Sequence, residues 1–125
     1  MKTTTGSSSF KTSADCLFCK IRDGAIPANR VYEDEFCIGF PDISPQAPTH
    51  LLIIPKEHIA SVAKAKEEHK LLLGHLMATA AELARAQRLG DGFRIVVNTG
   101  DEGGQTVHHL HLHLLGGRRM TWPPG

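Results

Sequence analysis

No stretch of this chain is apolar for the roughly 20 residues that a bilayer-crossing helix requires, so a membrane-spanning helix is excluded as the basis of its function. The first 14 residues also lack the apolar stretch of a secretory signal. An excess of one charge is missing too. Lys and Arg number 14 against 13 Asp and Glu, a formal net charge of +1, which announces neither a nucleic-acid surface nor a membrane surface. Cysteines are few and odd in number, three in the whole chain. Without an export signal, that argues against a disulfide framework and for a reducing compartment. The expected location is therefore the cytoplasm, with the nucleus open as a second compartment. There are no internal repeats, and 125 residues suit one domain with a single core.

What is present is uneven along the chain. Met1–Ala14 is rich in Ser and Thr, carries Lys2 and Lys11, and has no acid before Asp15. It is expected to be a disordered N-terminal extension (1–14) ahead of a folded domain over 15–125. A mitochondrial presequence is a weaker reading, because the tail is short and has no arginine.

The most informative segment is His109-Leu110-His111-Leu112-His113-Leu114-Leu115. Strict alternation is the period of a strand, so the three imidazoles share one face and the leucines enter a core on the other. Alternate residues on a strand lie roughly 6.5–7 Å apart, whereas zinc–nitrogen bonds are only about 2.0–2.1 Å. The three cannot hold one ion together. The row suits an extended anionic ligand better, with one imidazole reacting and another contacting oxygens. Ahead of it lies Asn98-Thr99-Gly100-Asp101-Glu102-Gly103-Gly104-Gln105-Thr106. Its glycines permit tight turns and close backbone approach, and Gln105 and Thr106 add donors.

The remaining elements follow from periodicity and punctuation. Cys16–Asp23 reads as a short helix ended by Gly24 and Pro27. Arg30–Phe40 carries two strands around Glu33-Asp34-Glu35, with Cys37 an inert core thiol. Leu51-Leu52-Ile53-Ile54 reads as a strand buried on both faces. Ser61 is placed to cap a brief helix over Val62–Lys66. Glu67–Leu89 is the one long helix, with an apolar stripe of Leu73, Leu76, Met77, Ala80, Ala81 and Ala84, while His69 and His75 fall off that stripe as solvated residues. Phe93–Asn98 and Val107–Leu115 are the last strands. Few strands and one long helix indicate an α+β domain with an antiparallel sheet.

Cys16-Leu-Phe-Cys19 has the Cys-x-x-Cys spacing of half a tetrahedral metal site. Two unbonded thiols on a short helix, or a redox pair, are the alternatives; no βαβ context supports the latter.

The alternating segment resembles the His-φ-His-φ-His-φ-φ signature (φ apolar) of the histidine triad superfamily of nucleotide hydrolases and transferases. Asp42-Ile43-Ser44-Pro45-Gln46-Ala47-Pro48-Thr49-His50, Gly104-Gln105 and Trp122-Pro123-Pro124-Gly125 are similar to its Hint branch, the histidine triad nucleotide-binding proteins. The resemblance spans about 15–125. It implies a five-stranded antiparallel sheet with one long helix and one or two short ones, paired across a two-fold axis into a ten-stranded sheet in a homodimer. It implies hydrolysis of the P–N bond of purine nucleoside 5′-phosphoramidates. His111 would be the nucleophile, forming a nucleotidyl-histidine. His113 would contact phosphate, a carbonyl near His109 would fix the His111 tautomer, and Gln105 and Thr106 would donate to phosphate or the leaving group. Asp42 would hold the ribose with Ile43 beside it. Asn98 would serve ribose and phosphate, Gly104 would belong to the phosphate loop, and Phe18, Ile21, Ile26 and Phe40 would form the base slot. A structural zinc would be held by Cys16, Cys19, His50 and His109, with none required for the chemistry. His58 is read as a structural hydrogen-bonding residue, and the Trp-Pro-Pro-Gly tail as one that approaches the partner's site.

Three positions depart from the pattern. Thr106 stands where serine is usual, His108 where an aromatic residue is, and Thr121 where some relatives have histidine. They bear on the amine rather than on the reaction. The competing readings are a zinc-stapled nucleotide-binding or interaction protein with little turnover, and a histidine triad enzyme acting on dinucleoside polyphosphates or adenylylated DNA. Ser44–Thr49, the C-terminal tail and the lack of a basic extension argue against the last.

Overall fold

A computed structural model describes residues 10–125. Helix α1 (Leu17–Arg22) precedes β1 (Tyr32–Glu33), β2 (Cys37–Pro41) and β3 (Thr49–Pro55). Two 3-10 turns (Val62–Lys64 and Glu67–His69) lead into α2 (Lys70–Ala86), followed by β4 (Phe93–Val96) and β5 (Leu112–Gly116). The strands form one antiparallel sheet in the order β1-β2-β3-β5-β4. Among the described residues no helix is long and apolar enough to cross a membrane.

Side-chain parity divides the sheet into two cores. Leu51 and Ile53 face α2 together with Leu110, Leu112 and Leu114. Leu52 and Ile54 face the other way, with Ile38 and Phe40, and meet Phe18, Cys19 and Ile21 of α1. The continuous run on β3 is thus buried on both sides, as a central strand covered on each face must be. Because the leucines of the alternating segment go to the α2 side, its histidines emerge on the α1 side.

The long helix differs from its expected form. Glu67–His69 is a 3-10 turn, with His69 Nδ1 accepting the Lys66 amide (2.9 Å), and α2 proper starts at Lys70. The buried stripe is Leu76, Thr79, Ala80, Leu83 and Ala84, while Met77 stays about half exposed and Ala81 is only partly covered. The helix is apolar on more than one side, so its pattern does not fix which side turns inward. Packing decides it: Leu83 lies over Gly39, whose absent side chain would sit 3.2 Å from Leu83 Cδ1. Nor is His75 merely solvated; its Nε2 pairs with Asp34 Oδ2 at 2.6 Å. Ser61 precedes a single 3-10 turn and makes no side-chain cap.

The chain exits α2 before Gly90. Leu89 N–H bonds the Ala84 carbonyl (2.9 Å) and Arg88 N–H that of Arg85 (3.0 Å), with Arg88 at φ 60°. Those two bonds make a Schellman ending, and the residue after the cap carries the left-handed conformation. Leu89 then seats on Gly116, where a Cβ would come within 2.6 Å of Leu89 Cδ1.

β5 begins at Leu112, not at Val107. Leu110 N–H bonds the Ile59 carbonyl (2.7 Å), so the segment through His109 leaves the ladder while keeping its alternation. Of the expected extension 1–14, residues 1–9 lie outside the described residues. The rest packs on the domain. The Lys11 carbonyl accepts from His58 N–H (3.1 Å) and Arg22 Nη1 (2.9 Å), and the Arg22 guanidinium lies 5.9 Å over the Phe10 ring.

Candidate active site and metal centre

A cleft of about 650 Å³ opens between α1 and the histidine-bearing segment. Phe18, Ile21, Ile26 and Phe40, the expected base slot, all line it, as do Asp42, Ile43, Thr106, His111 and His113. Phe18 meets Phe40 edge-on at 5.8 Å and His111 at 5.1 Å between ring centres. An apolar slot with a few convergent polar groups is what a flat, polar-edged ligand needs.

His111 is buried, and its Nδ1 lies 2.7 Å from the His109 carbonyl. A carbonyl can only accept, so Nδ1 carries the proton and Nε2 keeps its lone pair. Burial pulls the His111 pKa down, more strongly than the His109 carbonyl raises it, and this favours the neutral ring. His113 Nδ1 lies 2.9 Å from His50 Nε2. Burial, then the neighbouring His111 and His50, push the His113 pKa down to about 4. Asp42 accepts the Ser44 amide at Oδ1 (2.8 Å) and presents Oδ2 to His50 Nε2 at 3.5 Å.

Behind the cleft, Cys16, Cys19, His58 and His109 bring one ligand atom each within 4.8 Å of one another. Cys16 Sγ is 3.2 Å and Cys19 Sγ 3.7 Å from His109 Nδ1; His58 Nδ1 is 3.4 Å from Cys19 Sγ and 3.1 Å from His109 Nδ1. A tetrahedral zinc with bonds of about 2.3 Å to sulfur and 2.05 Å to nitrogen has edges of about 3.3–3.7 Å. The donor set fits. His109 Nε2 donates to the Pro55 carbonyl (2.8 Å), which leaves the Nδ1 lone pair aimed at the thiols. Burial raises the Cys16 pKa, so the thiol would need a bound cation to lose its proton at neutral pH.

His50 is not in this cluster. The resemblance implies it as a ligand, but it sits at the far end of β3 against Asp42 and His113, and His58 occupies the ligand position instead.

Residues 23–120 match the HIT domain family. The chain belongs to that family. It is 54% identical over 113 residues to an uncharacterized HIT-like protein of Synechococcus elongatus, covering 90% of this chain and 99% of that one. It is 51% identical over 111 residues to a 14 kDa zinc-binding protein of Zea mays, covering 87% of each. Among solved structures, a HIT family hydrolase from Legionella pneumophila superposes with a TM-score of 0.87 at 54% identity, over 89% of this chain and all of that one.

The glycine-rich loop of this HIT domain is built differently from the expected donor loop. Gln105 is buried, and both its amide protons are used, on the carbonyls of Ala60 (2.7 Å) and Val107 (3.0 Å); its Oε1 accepts the Gly100 amide (2.9 Å). Gln105 pins the loop rather than facing the cleft. Gly103 is obligatory there, because a Cβ would fall 2.2 Å from the Thr99 carbonyl oxygen. Asn98 and Gly104 do not line the cleft, whereas the exposed Thr106 does. His108 and Trp122 are exposed. His58 is the functional residue that sequence reasoning missed. Its signal is its place just past the end of β3, at the end where His109 sits.

Proposed function

We propose that this HIT protein hydrolyses the P–N bond of purine nucleoside 5′-phosphoramidates through a nucleotidyl-His111 intermediate. The observation that carries the reading is the 2.7 Å contact of His111 Nδ1 with the His109 carbonyl, which frees Nε2 beside an apolar slot. Nε2 bonds the α-phosphorus as the P–N bond breaks. The amine leaves with the bond pair and takes a proton from solvent water, relayed through the Thr106 hydroxyl. The positive charge gained by His111 is held by the His109 carbonyl. Water then adds its hydroxyl to phosphorus, its proton returns to solvent, and His111 departs as the mononucleotide is released. Phe18, Ile21, Ile26 and Phe40 sandwich the base, and Asp42 accepts from the ribose hydroxyls.

Zinc would be held by Cys16, Cys19, His58 and His109, in keeping with the name of the maize relative. With all four positions filled by protein, none is open to substrate, and the ion would serve as a cross-link between α1, the chain after β3 and the histidine segment. A homodimer is supported by the exposed sheet edge at β4, where Phe93 is 43% exposed, and by Met77 on α2 at 49%. The cytoplasm, with the nucleus as a second compartment, is the proposed location.

The test is turnover of a fluorogenic adenosine 5′-phosphoramidate by the parent and by His111→Ala. The expected result is turnover by the parent and a loss of about 10³-fold or more in the variant, since the nucleophile itself is removed. Equal turnover by both would overturn the mechanism. No turnover by the parent would favour a nucleotide-binding protein. Faster cleavage of a diadenosine polyphosphate would favour the polyphosphate hydrolase.

A further inference from the structure

We propose that His50 fixes the tautomer of His113, and thereby makes His113 Nε2–H a preset donor for an acceptor oxygen of the bound ligand. That this oxygen belongs to phosphate rests on the function proposed above; the tautomer does not.

The starting point is a group with no choice. The backbone amide of Gln46 can only donate, and it points at His50 Nδ1 at 3.0 Å. His50 Nδ1 must therefore carry a lone pair, and the ring proton of His50 is on Nε2. That N–H lies 2.9 Å from His113 Nδ1, with Asp42 Oδ2 as a second, longer acceptor at 3.5 Å. His113 Nδ1 must in turn accept, so the one proton of a neutral His113 is on Nε2. A doubly protonated His113 would set N–H against N–H across 2.9 Å, and its burial opposes the charge as well. The chain of hydrogen bonds ends at His113 Nε2. Among the described residues this is the one buried side-chain nitrogen or oxygen with no hydrogen-bond partner. A buried donor left unpaired costs free energy that a ligand acceptor would recover. His113 lines the cleft beside His111, which would attack phosphorus, so the acceptor is a non-bridging phosphate oxygen. His50 does not line the cleft; it is a positioning residue, acting through His113.

Histidine ¹⁵N chemical shifts read the tautomer directly in ligand-free protein. The parent is expected to show His113 protonated at Nε2 and His111 at Nδ1 near neutral pH. His50→Leu is expected to release His113 into a mixture of both tautomers and to weaken AMP binding about tenfold, the loss of one aligned hydrogen bond to an anion. His50→Gln keeps an amide donor and an acceptor in reach and is expected to restore both. A parent His113 protonated at Nδ1, or His50→Leu with an unchanged tautomer and unchanged AMP affinity, would overturn the proposal. The parent measurement needs no variant to fold and no turnover. Absent phosphoramidase activity with the stated tautomer would sink the function and leave this inference standing.

Discussion

His58, not His50, completes the Cys/His cluster, and strand register accounts for it. On the antiparallel β3–β5 pair His50 lies opposite Leu115. Leu115 is six residues beyond His109, which at about 3.3 Å per residue places the two histidines roughly 20 Å apart along the strands. Ligands of one ion lie within about 4 Å of each other. His58 follows Pro55, whose carbonyl already accepts from His109, so it arrives at the correct end. Cys-x-x-Cys and the first triad histidine were readable from spacing and resemblance. The remaining ligand was not, because choosing between two histidines flanking β3 needs the direction and register of its partner. The expected outcome is one zinc per chain in the parent and in His50→Ala, and a loss of most bound zinc in Cys19→Ser and His58→Ala. Elemental analysis after dialysis against a weak chelator checks it. Zinc retained by His58→Ala and lost from His50→Ala would restore the other ligand set.

At the scale of elements, the alternating histidines and the doubly buried β3 were legible in the sequence. Period 2 belongs to strands, and a short apolar run closed by Pro55 suits a strand covered on both faces. The start of β5 and the inward side of α2 were not legible. Both depend on partners distant in the chain: Ile59 draws Leu110 out of the ladder, and Gly39 receives Leu83. The end of α2 escaped for a different reason. Gly90 offers the usual stop signal, yet the left-handed residue is Arg88, two positions earlier. Leu89 must reach Gly116 to cap the core, and that anchor fixes the exit. A non-glycine residue at this φ costs about 1–2 kcal/mol, and glycine at the same position adds backbone freedom to the unfolded chain. The expected net effect of Arg88→Gly is therefore a gain of about 0.5–1 kcal/mol. Urea unfolding would show a higher midpoint at unchanged slope. A lower midpoint would mean that the Arg88 side chain contributes more than its backbone costs.

For the whole molecule, one antiparallel sheet with helices packed on both faces was legible as an α+β domain, whereas the division of the interior into two cores required the pairing order. That division has an electrostatic consequence. The α1-side core shares its face with the histidine row, so the imidazoles are held in low dielectric and must stay neutral. His113, pushed down to about 4 by burial and by His111 and His50, would titrate near 6.5 in the unfolded chain. Between those values the unfolded state binds a proton that the native state refuses. Stability from this group is thus complete above about pH 6.5, falls as the pH drops towards 4, and levels off below. Asp34 works in a separate window. Burial raises its pKa, but hydrogen bonds from Tyr32, the Phe36 and Cys37 amides and His75 outweigh that and hold it well below the usual carboxylate range. Its contribution is lost only below about pH 3.9. Chelator-treated protein is therefore expected to show a Tm that is flat from about pH 8 to 7 and falls steadily from about 6.5 to 4. His113→Gln is expected to make that descent shallower, because its amide has no proton to refuse; the slope that remains belongs to His109, His111 and His58, which burial also pushes down. A parent Tm that rises on acidification through this window, or a variant with an undiminished slope, would mean that His113 carries its charge inside the folded protein.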